Sequence, residues 1–174
     1  VGNDPDSASL EWFRRRFGPD RCTWDHGGWR FVILDSNLLK SPGKVPAEAE
    51  AQWAWLQGRL RDARARGLPV VVFQHHPLFL ADPGEEDQYF NIPRAERRRH
   101  LDLFRECGVV AVFAGHYHRN ALGRDGPVEM VTCGPVGKPL GEDPSGYRVV
   151  TVHRDRIEHA YVPLSPGPCG GVPA

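Results

Sequence analysis

Two short, continuously apolar runs, P-V-V-V-F-Q at residues 69–74 and V-V-A-V-F at 109–113, constrain the fold more than any other part of the sequence. Both are rich in β-branched residues, the pattern of a strand covered on both faces. Between them lies R-A-E-R-R-R-H-L-D-L-F-R-E-C, a helical pattern with Leu101 and Phe104 on its apolar side and Gly108 as its stop. Strand, helix and strand in this order predict an α/β arrangement. Each strand also ends in histidine: F-Q-H-H-P carries His75 and His76, and F-A-G-H-Y-H carries His116 and His118. Ligands of open α/β sheets collect at the carboxyl ends of strands, so these two ends are candidates for one shared site.

Other elements surround this unit. Residues Ser7 to Phe17 read as an amphipathic helix with Leu10, Phe13 and Phe17 near one face, Asp6 or Ser7 as N-cap and Gly18 as breaker. R-C-T-W-D-H and W-R-F-V-I-L-D-S read as strands joined in a hairpin by Gly27-Gly28. After a loop from Leu38 to Lys44, Pro46 opens a long helix ending near Gly67, with Trp53, Leu56 and Leu60 on one stripe. The stretches V-E-M-V-T-C, Y-R-V-V-T-V-H and R-I-E-H-A-Y-V predict three further strands. Residues 165–174, a Pro/Gly tail with little to bury, predict disorder. Arg94, Arg97 and Arg98 share a helical face that reads as solvated, and the five tryptophans read as core and sandwich packing.

His116 and His118 are two residues apart, and in an extended segment such side chains point the same way. Gly115 would remove bulk where the backbone approaches an ion. Imidazole suits zinc, iron, manganese and nickel, and two ions about 3.5 to 4 Å apart can clamp a phosphate and activate water. Two cations also require carboxylates. A solvated pair of turn histidines is the plainer alternative. Lys and Arg balance Asp and Glu at 22 each, so no net field favours nucleic acid or an anionic membrane surface. No apolar run reaches the roughly 18 residues of a membrane span. The four cysteines show no C-x-x-C spacing, which argues for reduced thiols and against a structural zinc site.

F-Q-H-H-P followed by Tyr89-Phe90-Asn91 and A-G-H-Y-H-R-N-A resembles the C-terminal half of the calcineurin-like metallophosphoesterases over residues 1–164. The resemblance implies a two-sheet β-sandwich flanked by helices and a site for two divalent or trivalent metal ions of the Mn, Fe, Zn or Mg class. It implies that His75 and His116 ligate one ion and His118 the other. His76 and Asn120 are expected to orient a ligand or meet the substrate. The implied activity is phosphomonoester hydrolysis, with a serine/threonine phosphoprotein as substrate in the cytoplasm; no nucleic-acid or membrane partner is expected. A phosphodiesterase or nucleotidase of the same fold, or a catalytically dead binding module, is the alternative. The family's D-x-H, G-D-x-x-D and G-N-H-[D/E] motifs do not occur in this sequence. The chain, which begins at Val1, is therefore expected to be a C-terminal fragment with its N-terminal half, including the general-acid histidine, missing. Alone it should be inactive or nearly so, and its first buried strand should lack a neighbour.

Overall fold

The computed structural model describes residues 3–164. The disorder expected of residues 165–174, and Cys169 with it, lies outside the described residues. Helix α1 (Ser7–Phe17) starts at Asp6, whose Oδ1 accepts the Ser9 N–H at 2.8 Å, and stops at Gly18, where φ reaches 92°. Only Leu10 of its apolar residues is buried; Phe17 stays 63 % exposed. Strands β1 (Cys22–His26) and β2 (Trp29–Ile33) pair antiparallel across Gly27 and Gly28, both at positive φ, as a tight hairpin turn demands. The following loop contains a four-residue helix α2 (Asn37–Lys40) and a 3-10 turn at Pro42–Lys44. Elements this short leave no periodic signal, so the sequence shows only a loop. Helix α3 (Pro46–Ala65), strand β3 (Val70–Phe73), helix α4 (Arg94–Glu106) and strand β4 (Val109–Ala114) follow.

Four more strands follow among the described residues: β5 (Ala121–Asp125), β6 (Val128–Thr132), β7 (Gly146–Val152) and β8 (Ile157–Pro163). Three were expected here. The additional one, β5, is an edge strand that reads A-L-G-R-D and carries no β-branched residue, so it leaves little strand signal. Its Gly123 has no spare room, since a Cβ there would lie 2.6 Å from the Ala81 carbonyl oxygen.

One sheet has the order β1-β2-β3-β4-β6-β5 and the other is the β7-β8 hairpin. Strands β2, β3, β4 and β6 run parallel, with β1 and β5 antiparallel at the edges. Strand β3 therefore has a neighbour on each side, and the expectation that it lacks one is wrong: β2 occupies the place taken to be vacant. Side chains alternate across the sheet. Val32, Val70, Val72, Val112 and Met130 face the helices and pack with Leu56, Leu60 and Phe104. Trp29, Phe31, Val71, Ala111 and Phe113 face the other way, against Val150 and Ile157 of the hairpin. This is the two-sheet, helix-flanked α/β architecture the sequence implies.

Trp29 is the pin between the sheets. It is 1 % exposed, and its Nε1–H donates to the His153 carbonyl at 2.8 Å. Trp53 and Trp55 pack against the helical core, whereas Trp12 and Trp24 are nearly half exposed at 48 % and 44 %, so the reading of all five as core does not hold. Trp24 instead stacks on Phe31 at the sheet edge, 5.3 Å between centroids. Trp29→Ala should cost about 3–5 kcal/mol of unfolding free energy, the range for deleting a buried aromatic. Urea denaturation measures this, and amide exchange should show β7 and β8 losing protection first.

Candidate metal centre

Parallel pairing continues past the strand ends and sets the site. The Leu34 N–H donates to the Phe73 carbonyl at 3.0 Å, Gln74 to Phe113 at 3.0 Å, Gly115 to His75 at 3.0 Å and Cys133 to Ala114 at 2.8 Å. Residues leaving β2, β3 and β4 are thereby held side by side at one edge. Ser36, His75 with His76, and His116 come from those three ends respectively. One ring nitrogen from each of His75, His76 and His116 lies within 4.8 Å of the other two, and His75 Nε2 is 3.1 Å from His116 Nδ1. Two imidazole nitrogens on one tetrahedral or octahedral ion, each about 2.1 Å from it, stand about 3.0–3.4 Å apart. The 3.1 Å spacing fits that chord.

The second histidine motif is a strained turn, not an extended segment. His116 and His118 sit at φ 63° and 58°, a left-handed region that costs non-glycine residues about 1–3 kcal/mol each. Strain of that size persists only where the surroundings hold it. Gly115, by contrast, is not crowded by protein: a Cβ there would make ordinary 3.9 Å contact with His75 Nδ1. His118 stays out of the trio. Its Nδ1 lies 2.8 Å from the Lys138 carbonyl, which only accepts, so Nδ1 carries the proton and Nε2 keeps its lone pair. The loop bearing Lys138 is laced to the turn: Leu140 N–H to His118 O at 2.9 Å, Arg119 Nε to Leu140 O at 2.9 Å, and Asn120 N–H to Asp143 Oδ2 at 2.5 Å. Asn120 Oδ1 accepts from Gly134 N–H at 3.2 Å and Arg148 Nη2 at 2.9 Å. Its side chain ties the turn to the second sheet.

Burial keeps the trio of His75, His76 and His116 neutral. It pushes His76 down to about 3, helped by the neighbouring His116, His75 and Lys40, and it lowers His75 and His116 as well. Neutral imidazole is the ligand form. The Nε2 atoms of His76 and His116 are buried without a hydrogen-bond partner among the described residues. Beside His75 a cavity of about 580 Å³ is lined by Leu10, Phe13, Ile33 and Asp35. Burial raises the Asp35 pKa, and its Oδ1 accepts the Asn37 N–H at 3.0 Å. The trio itself holds no carboxylate. The described residues thus fit the imidazole share of a metal site and not the anionic share that two cations need.

A clamped loop walls the site. Glu85 accepts from the N–H groups of Leu80 at 2.9 Å and Ala81 at 3.2 Å, and from Asn91 Nδ2 at 2.7 Å. Arg97 donates to the carbonyls of Ile92, Pro83 and Glu85 and is 1 % exposed. The reading of Arg97 as solvated is therefore corrected: its planar fork satisfies carbonyls of a loop that crosses its helix, a partner invisible to helical periodicity. Lys40 Nζ donates to the Gln88 and Asn91 carbonyls at 2.8 and 2.5 Å. Tyr89 is thereby held with its ring 5.0 Å from that of His116. Ser36, Lys40 and Tyr89 went unassigned in the sequence. Applying the strand-end rule to L-D-S after β2 would have found Ser36.

Comparison with solved structures gives the fold. A dimetal phosphatase from Danio rerio superposes with a TM-score of 0.55 at 18 % identity, over 90 % of this chain and 68 % of that one. The fold is that of the dimetal phosphatases. No protein-family model matches. Among curated proteins, human serine/threonine-protein phosphatase CPPED1 is 41 % identical over 166 residues, 94 % of this chain and 53 % of that protein. The 3',5'-cyclic adenosine monophosphate phosphodiesterase CpdA of Pseudomonas aeruginosa is 28 % identical over 145 residues, 77 % of this chain and 51 % of that one. In sequence and fold the chain resembles the calcineurin-like metallophosphoesterases, and it spans about half the length of the curated relatives it matches.

Neutral burial makes stability depend on pH. His76 titrates near 3 and His100, buried against Trp53, near 4, both below the ordinary 6.5. The unfolded chain therefore takes up protons first as pH falls. This contribution to stability is complete above 6.5 and is lost progressively towards the folded values. Below pH 6.5 the urea-unfolding free energy should fall by about 1.4 kcal/mol per pH unit for each of the two. A flat profile down to about pH 5 would contradict neutral burial.

Proposed function

We propose that this chain supplies the imidazole ligands of a metallophosphoesterase that, as a whole protein, hydrolyses phosphomonoesters of serine/threonine phosphoproteins. The observation that carries the reading is the 3.1 Å approach of His75 and His116 from the ends of adjacent parallel strands. The relative named as a serine/threonine phosphatase, 41 % identical over 94 % of this chain, supports the substrate class. His75 and His116 would hold one ion through nitrogens already at ligand spacing. His118 would offer Nε2 to the other, with Lys138 fixing its tautomer as an outer hydrogen-bond partner fixes a metal-binding histidine. Two divalent ions, when bound, polarise a phosphoryl oxygen and lower the pKa of a bound water. The residues of this chain set the surroundings: burial favours the unprotonated form of His75 and His116, and Tyr89 walls one side. The chain has no helix long and apolar enough to cross a membrane among the described residues, and a cytoplasmic location is part of the proposal.

A second reading, cyclic-nucleotide phosphodiester hydrolysis, rests on the 28 % identity to the bacterial phosphodiesterase. A paired assay of the whole protein on a phosphoserine peptide and on 3',5'-cyclic AMP separates the two; faster turnover of the peptide is expected. The 174-residue chain alone should bind zinc, yet turn over the peptide little or not at all, because its histidines lack carboxylate partners. Zinc calorimetry on His116→Ala should show affinity reduced by at least the roughly 10–100-fold that loss of an orienting partner costs. Unchanged zinc affinity in that variant would refute the ligand assignment.

A further inference from the structure

Ser36 ends the short connection after β2 and is 1 % exposed, so its hydroxyl has no water to consult. Its Oγ meets three groups: the His75 N–H at 3.2 Å, the His76 N–H at 2.9 Å and His76 Nδ1 at 2.9 Å. Backbone amides only donate, and they use both lone pairs of the oxygen. The one hydroxyl proton must then go to His76 Nδ1, which accepts it with its lone pair. This assigns the His76 proton to Nε2. A protonated ring is excluded by the same count, because Nδ1–H would face the hydroxyl proton.

The consequence is a buried donor with nothing to donate to. His76 is fully buried, and its Nε2 has no hydrogen-bond partner among the described residues. Its ring centroid lies 4.3 Å from that of His116 and 4.9 Å from that of His75. Proximity alone would make His76 a third metal ligand, but a nitrogen that carries a proton has no lone pair for an ion. Native structures rarely leave such a donor unpaired, and a vacant partner at a functional site points to a ligand atom.

We infer that His76 is a fixed hydrogen-bond donor to a phosphoryl-type oxyanion bound against His75 and His116, and that Ser36 is the positioning residue that sets its tautomer. The oxyanion rests on the proposed function; the tautomer does not. Spending the proton on Nε2 divides labour between adjacent histidines: His75 faces the ion, His76 the anion it holds.

Long-range proton–nitrogen correlation spectra of the ¹⁵N-labelled 174-residue chain should show His76 as the Nε2–H tautomer. Ser36→Ala should convert it to a mixture. On titrating the zinc-loaded chain with inorganic phosphate, the His76 Nε2 resonance should move. His76→Gln, whose amide nitrogen reaches a similar place, should bind phosphate within about threefold of the parent, and His76→Met at least about tenfold more weakly, as for loss of a hydrogen bond to a charged group. Zinc affinity should stay unchanged in both variants. An Nδ1–H tautomer, equal phosphate binding by His76→Met, or a collapse of its zinc affinity would each overturn the inference. If the parent chain takes up no zinc, the proposed function fails instead; the tautomer spectrum still decides the role of Ser36, and absence of phosphate binding in that state overturns the donor role.

Discussion

The parallel hydrogen bonding of β2, β3 and β4 is the constraint on which the rest of the site depends. Each strand passes its pairing one or two residues beyond its end, through Leu34, Gln74 and Gly115. Three segments that are far apart in sequence therefore arrive at one edge in fixed register. Parallel strands in α/β sheets are buried on both faces, and here the faces are covered by α3 and α4 on one side and by the β7-β8 hairpin on the other. The packing that holds the strands is thus the packing that aligns the histidines.

Around that edge, several weak devices act together. Burial removes the charge from His75, His76 and His116, which leaves nitrogens free to ligate or donate. The strain of two histidines at positive φ is held by the Lys138–Asp143 segment on one side and by the trio on the other. On the far rim, Glu85 and Arg97 saturate the backbone of the loop bearing Tyr89, so the aromatic wall is part of the frame. None of these groups contributes much alone, but each removes a freedom that a bound anion or ion would otherwise have to remove.

Local pattern made much of this legible. The two β-branched runs, their terminal histidines, the Gly27-Gly28 hairpin and helices α1, α3 and α4 all follow from residue order, because period and turn chemistry act over a few residues. Where a residue's partner was remote, the reading failed. Arg97 looks solvated from helical spacing, yet it is buried by a loop that crosses its helix. Strand β3 looks bereft of a neighbour until β2 is seen to run parallel beside it. The edge strand β5 and the four-residue α2 carry too little apolar signal to be read at all.

By itself, the sequence determined which histidines the site contains, since strand ends place F-Q-H-H-P and G-H-Y-H wherever the sheet puts its carboxyl edge. Only the tertiary structure decided what each histidine can do. His75 and His116 come within 3.1 Å because β3 and β4 are neighbours; His118 is turned towards Lys138 by a strained turn; His76 carries its proton where Ser36 allows. A tautomer depends on the direction of one hydroxyl proton, and that direction is set where the segment leaving β2 meets the segment leaving β3, a juxtaposition that no single stretch of sequence contains.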